Sequence, residues 1–219
     1  LLEIFDSELQ IAIFALEVVD LIDEVRIRTA LRCLLSQLMQ LFLELSVTEK
    51  PYFHKLLETI TERQLDVLRY ALSKGNYETT MNIGGSEQCT PPLMAPSAFD
   101  EYVVPYETPL IEECRKHGIP TNIHCHGKIR HALKCMVSMG ADSTDPVEPF
   151  PAGDLSFREA REISQGDITL RGNIEYNEFT YMTPVQMRVR VKELLADGSK
   201  RVIISTFLLF HKKRKMQQI

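Results

Sequence analysis

The stretch TNIHCHGKIR, Thr121 to Arg130, sets His124 and His126 either side of Cys125 and directly before Gly127. Imidazole changes charge near neutral pH, so either ring can serve as general acid or base. Two imidazoles on one strand face can instead ligate a single Zn2+, with a third protein ligand coming from another segment. Glu148, in DPVEPFPAGD, is the oxygen donor assigned to that place. The remaining alternative is a metal-free pair hydrogen-bonded in a polar cleft. Side chains alternate along a strand, which puts Asn122, His124 and His126 on one face and Ile123 and Cys125 on the other. Cys125 is then a small buried side chain rather than a nucleophile.

Two other segments carry candidate groups. In LRGNIEYNEF a glycine lets backbone approach a ligand, and Asn173 and Glu175 follow it. Asn173 suits donation to a substrate carboxylate, or it braces its own turn. GGSEQCTPP places Ser86 on a glycine turn, either as a substrate contact or simply as part of that turn. No neighbouring base is evident that would make it a nucleophile. The candidate catalytic residues are thus Ser86, His126, Asn173 and Glu175, and the candidate metal ligands His124, His126 and Glu148.

The elements that must position these groups follow a βα alternation from about Asn76. Before it, TEKPYFHKLLETITERQLDVLRYALSKG has the apolar spacing, first-turn proline and terminal glycine of an amphipathic helix. YETTMNI, PTNIHCH, GADSTD, DITLRGNI and KRVIIS read as five strands. The helices between them run over Pro96 to His117, kinked at Pro105 and Pro109, over Lys128 to Met139, over LSFREAREIS, and from Thr183-Pro184 to before Gly198. Parallel strands joined by helices need a sheet covered on both sides, with active groups just past the carboxyl ends of the strands. Ser86, His124 and His126, Asp145 and Glu148, Asn173 and Glu175, and Ser205 all come to that edge.

Composition narrows the class. The 219 residues suit one sizeable domain, and 44% hydrophobic with 25% charged residues is the balance of a globular protein. A net charge of -5 gives no support to nucleic-acid binding, which needs a basic face against phosphates. The terminal HKKRK reads as a solvated tail. The uncharged run Cys33 to Leu43 is far below the ~20 residues of a membrane helix. LLEIFDSELQ lacks the basic start and cleavage site of a signal peptide. Five irregularly spaced cysteines argue against a disulfide framework and for a reducing compartment, so a cytoplasmic protein is expected.

NIHCHG, GADSTDPVEPFPAGD, ITLRGNIE and TPVQMRVRVKELLADGSKRVIIS resemble, in order and spacing, the uroporphyrinogen decarboxylase superfamily. The upstream GGSEQCTPPLMAPSAFDEYVVPY shares the likeness, which runs from about Thr48 to Ser205. The resemblance implies a (β/α)8 TIM barrel and one of two chemistries. One branch decarboxylates the acetate side chains of uroporphyrinogen without metal; the other transfers methyl groups between corrinoids and thiols on zinc. Ser86 corresponds to a substrate-contacting serine of the decarboxylases. His124 corresponds to the zinc-binding histidine of the methyltransferases, and His126 stands where they have cysteine. After VIIS the decarboxylases have a histidine-glycine loop and the methyltransferases a cysteine, whereas this chain reads TFLLFHKKRK. The arginine-rich segment and early-strand aspartate of the decarboxylases do not fall in residues 1–47, which read as mostly helical.

The expected architecture is therefore a helical segment, 1–47, and a uroporphyrinogen decarboxylase-like barrel domain, 48–219. The barrel would be incomplete, with open edges, and a truncated non-enzymatic fragment is the limiting alternative. The implied ligand is a tetrapyrrole, with zinc-assisted methyl transfer involving a corrinoid and a thiol favoured over metal-free decarboxylation. A corrinoid protein and a second copy of the chain are the macromolecular partners this implies.

Overall fold

In the computed structural model of the chain, residues 39–75, 77–174, 176–198 and 202–206 are described. The chain divides into two compact units, Leu1–Leu56 and Leu57–Ile219. In the first, a helical stretch at 39–48 leads toward the next helix, and the Phe42 and Phe53 rings meet edge to face at 4.8 Å. The boundary between the units falls within the long helix α1 (Lys50–Leu72).

The second unit is a parallel α/β assembly. After α1 come β1 (Met81–Gly84), a 3-10 turn (Ser86–Cys89), α2 (Ser97–Tyr102), α3 (Val104–Lys116) and β2 (Thr121–His124). Then follow α4 (Arg130–Met139), β3 (Ser143–Asp145), α5 (Phe157–Ser164) and β4 (Thr169–Ile174). α6 (Tyr176–Tyr181), α7 (Pro184–Gly198) and β5 (Val202–Thr206) complete the described elements. The five strands pair in chain order, β1-β2-β3-β4-β5, all parallel. This is part of the (β/α)8 arrangement, each strand handing over to a helix before its neighbour is laid down. The helix expected over Pro96 to His117 is two: the chain breaks at Val103, and Pro105 sits in the first turn of α3, where its missing N–H costs nothing. α6 has no counterpart in the sequence reading.

The core lies between the strands' outward faces and the helices. Ile123, Cys125, Thr144 and Leu170 are fully or nearly fully buried. Ala132, Leu133, Met136 and Met139 repeat at helical spacing along α4 and form its buried face. Burying a side chain such as Leu133 contributes on the order of 1.5–3 kcal/mol. Leu68 of α1 packs with Leu110 and Cys114 of α3 and with Ile119, against Met81 and Ile83 of β1. α5 starts with a reciprocal capping box between Ser156 and Glu159, and Phe157 and Ala160 supply its buried stripe. Among the described residues, no helix is long and apolar enough to cross a membrane.

Candidate functional site

Parallel register sets inward-facing residues of successive strands side by side. Asn82 stands opposite Asn122, Asn122 opposite Ser143, and His124 opposite Asp145. Asn122 is buried, so its amide must be satisfied inside the protein. Its Nδ2 donates to Asn82 Oδ1 at 2.6 Å and to Asp145 Oδ1 at 2.5 Å, while Ser143 Oγ donates to its Oδ1 at 2.8 Å. The result is a polar row across three strands that holds the Asp145 carboxylate in place. His124 Nδ1 lies 3.4 Å from that same Asp145 oxygen. The His124 and His126 rings meet edge to face, with centroids 4.7 Å apart. Cys125, between them, is fully buried on the opposite face, and its thiol is pushed up by burial and by the charges of Glu87, Glu107 and Glu148. The alternation expected along TNIHCH is the one the strand adopts.

His126 lies just past the end of β2. Gly127 takes a left-handed φ of 86°, and its N–H donates to Glu148 Oε2 at 2.6 Å. The other oxygen, Oε1, pairs with His126 Nδ1 at 2.8 Å. This hydrogen bond raises the His126 pKa above its ordinary value against an opposing effect of burial. Burial works upward on Glu148, but the bonds from His126 and Gly127 outweigh it and hold the carboxyl low. Glu148 thus backs His126 as Asp145 backs His124. With Nδ1 engaged on both rings, ligand chemistry falls to the Nε2 atoms. The three residues expected as metal ligands do come together, yet the ligand atoms of His124, His126 and Glu148 do not all gather within 4.8 Å of one another.

Ser86 is buried in the turn after β1, where Gly85 takes a left-handed φ of 102°. Its Oγ donates to Glu107 of α3 at 2.8 and 3.0 Å. Sequence reading found no partner for Ser86; the fold supplies a carboxyl from 21 residues downstream. Burial lifts the Glu107 pKa to about 7, the Ser86 bond opposing and the Glu87 charge adding. Glu107 lines a cavity of about 500 Å3 with Asn82 and Gly84 of β1 and Val67 of α1. The same post-β1 segment lies against Gly127, whose missing Cβ would stand 3.6 Å from the Pro91 carbonyl. The Ser86 turn and the histidine loop are neighbours.

Asn173 is buried in β4 with Ser205 of β5 opposite it in register. Its Oδ1 accepts from Arg190 Nη2 of α7 at 3.2 Å, and Arg190 Nε is held by Glu178 of α6 at 2.8 Å. Asn173 is thus braced by a later helix rather than by its own turn. It borders a cavity of about 350 Å3 shared with Arg190, Asp154, Glu159 and Asp197. Glu175, the other candidate on this segment, lies outside the described residues. Arg171 was missed by sequence reading. Arg171 follows Leu170, the partner of Thr144, in β4, and its carbonyl accepts from the Val147 N–H at 2.8 Å. Its Nε is buried without a hydrogen-bond partner, which suits an anion. The signal that could have found it is an arginine on the inward parity of a strand, two residues before Asn173.

The arrangement therefore offers two carboxylate-backed imidazoles, a hydroxyl beside a carboxyl that titrates near neutrality, and a cation in the strand row. The family model for uroporphyrinogen decarboxylase matches residues 29–206. Among curated proteins no sequence matches. Among solved structures, a methyltransferase from Methanosarcina mazei aligns with a TM-score of 0.57 at 16% identity, over 75% of this chain and 46% of that one. The chain thus spans under half the length of that structure, and at this identity the likeness is one of fold.

Proposed function

Because the chain belongs to the uroporphyrinogen decarboxylase family, we propose that its strand edge binds a tetrapyrrole-type ligand and serves zinc-assisted methyl transfer between a corrinoid, free or protein-bound, and a thiol. The observation that carries this reading is that each histidine of the pair has a carboxylate on Nδ1, Asp145 for His124 and Glu148 for His126. Such backing fixes the ring tautomer and raises the basicity of Nε2, the arrangement common behind metal-binding histidines. The donor set fits zinc at two positions, His124 and His126, with Asp145 and Glu148 orienting them. Zinc held by His124 and His126 would supply the lowered pKa that makes a thiol nucleophilic. Arg171, whose buried Nε has no hydrogen-bond partner, suits a carboxylate of the ligand, and Asn122 holds Asp145 in the polar row.

The test is zinc content. Full-length protein should lose about one equivalent of Zn2+ when His124→Ala and His126→Ala are combined. Equal zinc in the parent and the double variant refutes the metal reading.

One observation favours the second chemistry. Decarboxylation replaces carbon dioxide by a proton, so it needs a proton donor at the carbon left behind. Glu107, with its pKa lifted to about 7 and Ser86 hydrogen-bonded to it, still holds that proton near neutral pH. If zinc proves absent, Ser86 and Glu107 become the groups on which the family's metal-free reaction would turn.

A further inference from the structure

Away from the histidine pair, the helix following β1 and the helix following β2 bring three donor groups of different kinds to one point. Asp100 comes from α2, and His131 and Cys135 from α4, where a spacing of four residues sets them on one face. His131 Nε2 lies 2.5 Å from Asp100 Oδ2 and 3.7 Å from Cys135 Sγ. Cys135 Sγ lies 3.4 Å from Asp100 Oδ1. Among the described residues no other three histidine, cysteine, aspartate or glutamate groups bring their ligand atoms within 4.8 Å of one another.

The cluster has the composition of a cysteine-histidine-aspartate triad but not its wiring. In a triad the imidazole takes the thiol on one nitrogen and the carboxylate on the other. Here both meet the same nitrogen, Nε2. The thiol donates its hydrogen bond to the carboxylate, and burial, reinforced by Asp100, keeps it protonated with a pKa pushed up to about 12. Convergence of three donors on one point is instead the geometry of a cation site. Bond lengths of about 2.0–2.3 Å and tetrahedral angles put the donors of a zinc site roughly 3.3–3.6 Å apart. The sulfur distances already lie close to this, and the Asp100–His131 bond has only to open by about 1 Å.

We propose that Asp100, His131 and Cys135 form a binding site for a thiophilic divalent cation of the zinc class, clamping α2 to α4, with water as the fourth ligand. Thiolate and imidazole select Zn2+ or Co2+ over Mg2+ and Ca2+, which prefer all-oxygen shells. The Asp100 and His131 side chains are 54% and 40% accessible, so the ion enters from solvent, while Cys135 is buried. Binding exchanges the thiol proton for the metal: Cys–SH and M2+ give the metal thiolate and one H+, released to solvent.

The experiment is a Co2+ titration of the full-length protein, read by absorption. One equivalent should give the near-ultraviolet thiolate-to-cobalt charge-transfer band and tetrahedral visible bands, both displaced by Zn2+ and unaffected by excess Mg2+. Cys135→Ser should abolish the charge-transfer band. The surface pair Asp100→Asn with His131→Gln should weaken binding at least tenfold. His124→Ala with His126→Ala should leave the band intact, because that pair brings no sulfur; loss of zinc at the histidine pair and loss of this site are therefore separable. Absence of the band in the parent, or its survival in Cys135→Ser, overturns the proposal. Should Cys135→Ser fail to fold, the two exposed substitutions decide it: unchanged affinity there overturns it equally.

Discussion

Glu107 makes the acid–base balance of the fold measurable. In the unfolded chain it titrates near 4.5, while in the folded chain burial lifts it to about 7 against the Ser86 hydrogen bond. Between those values the folded chain keeps a proton that the unfolded chain has given up, so stability falls as pH rises through the window. At about 1.4 kcal/mol per pH unit, the whole rise is worth about 3 kcal/mol, complete once pH passes the folded value. Glu107→Gln keeps the shape and an acceptor for Ser86 but has nothing to ionise. Urea unfolding of parent and variant at steps from pH 5 to pH 8.5 isolates the residue, since every other titrating group is common to both. The two should be nearly equally stable at pH 5, and the variant should lead by about 3 kcal/mol at pH 8.5. A difference that stays constant across this range would refute the argument that Glu107 is buried against its charge, and with it the proton-donor role beside Ser86.

The paired His126 gives the same direction of pH dependence, as a stabilisation lost rather than a cost incurred. His126 is raised by its bond to Glu148, so the stabilisation it contributes is fully present below its ordinary value of 6.5 and lost as pH rises through the folded value. Glu148→Gln should lower the His126 pKa, read from its ring resonances by NMR; no movement would break the assigned pair. Gly172 in β4 has φ 132°, and a Cβ there would stand 3.1 Å from both the N and the O of Val147. Gly172→Ala should therefore cost about 1–3 kcal/mol in a urea melt, and a cost below about 0.5 kcal/mol would show that the approach can relax.

Periodicity along the chain carried most of the fold. The five strands and their parallel order, the inward parity of Asn122, His124 and His126, and the burial of Cys125 all follow from alternation and from turn residues between elements. These are local consequences of backbone geometry, which a single sequence displays. The break at Val103 was less visible, because Pro105 reads equally as a kink or as the first turn of a new helix.

What the tertiary structure decided is which groups meet. His131 and Cys135 share a helix face by spacing alone, but Asp100 joins them only because α2 and α4 pack together. Ser86 acquires Glu107 from α3, and Glu148 turns out to face Nδ1 of His126 and the N–H of Gly127, because βα connections fold distant segments back over the strand ends. The kinds of chemistry available were written in the residue types; the partners, and with them the protonation of Glu107, His126 and Cys135, came from burial and long-range pairing that no local pattern encodes.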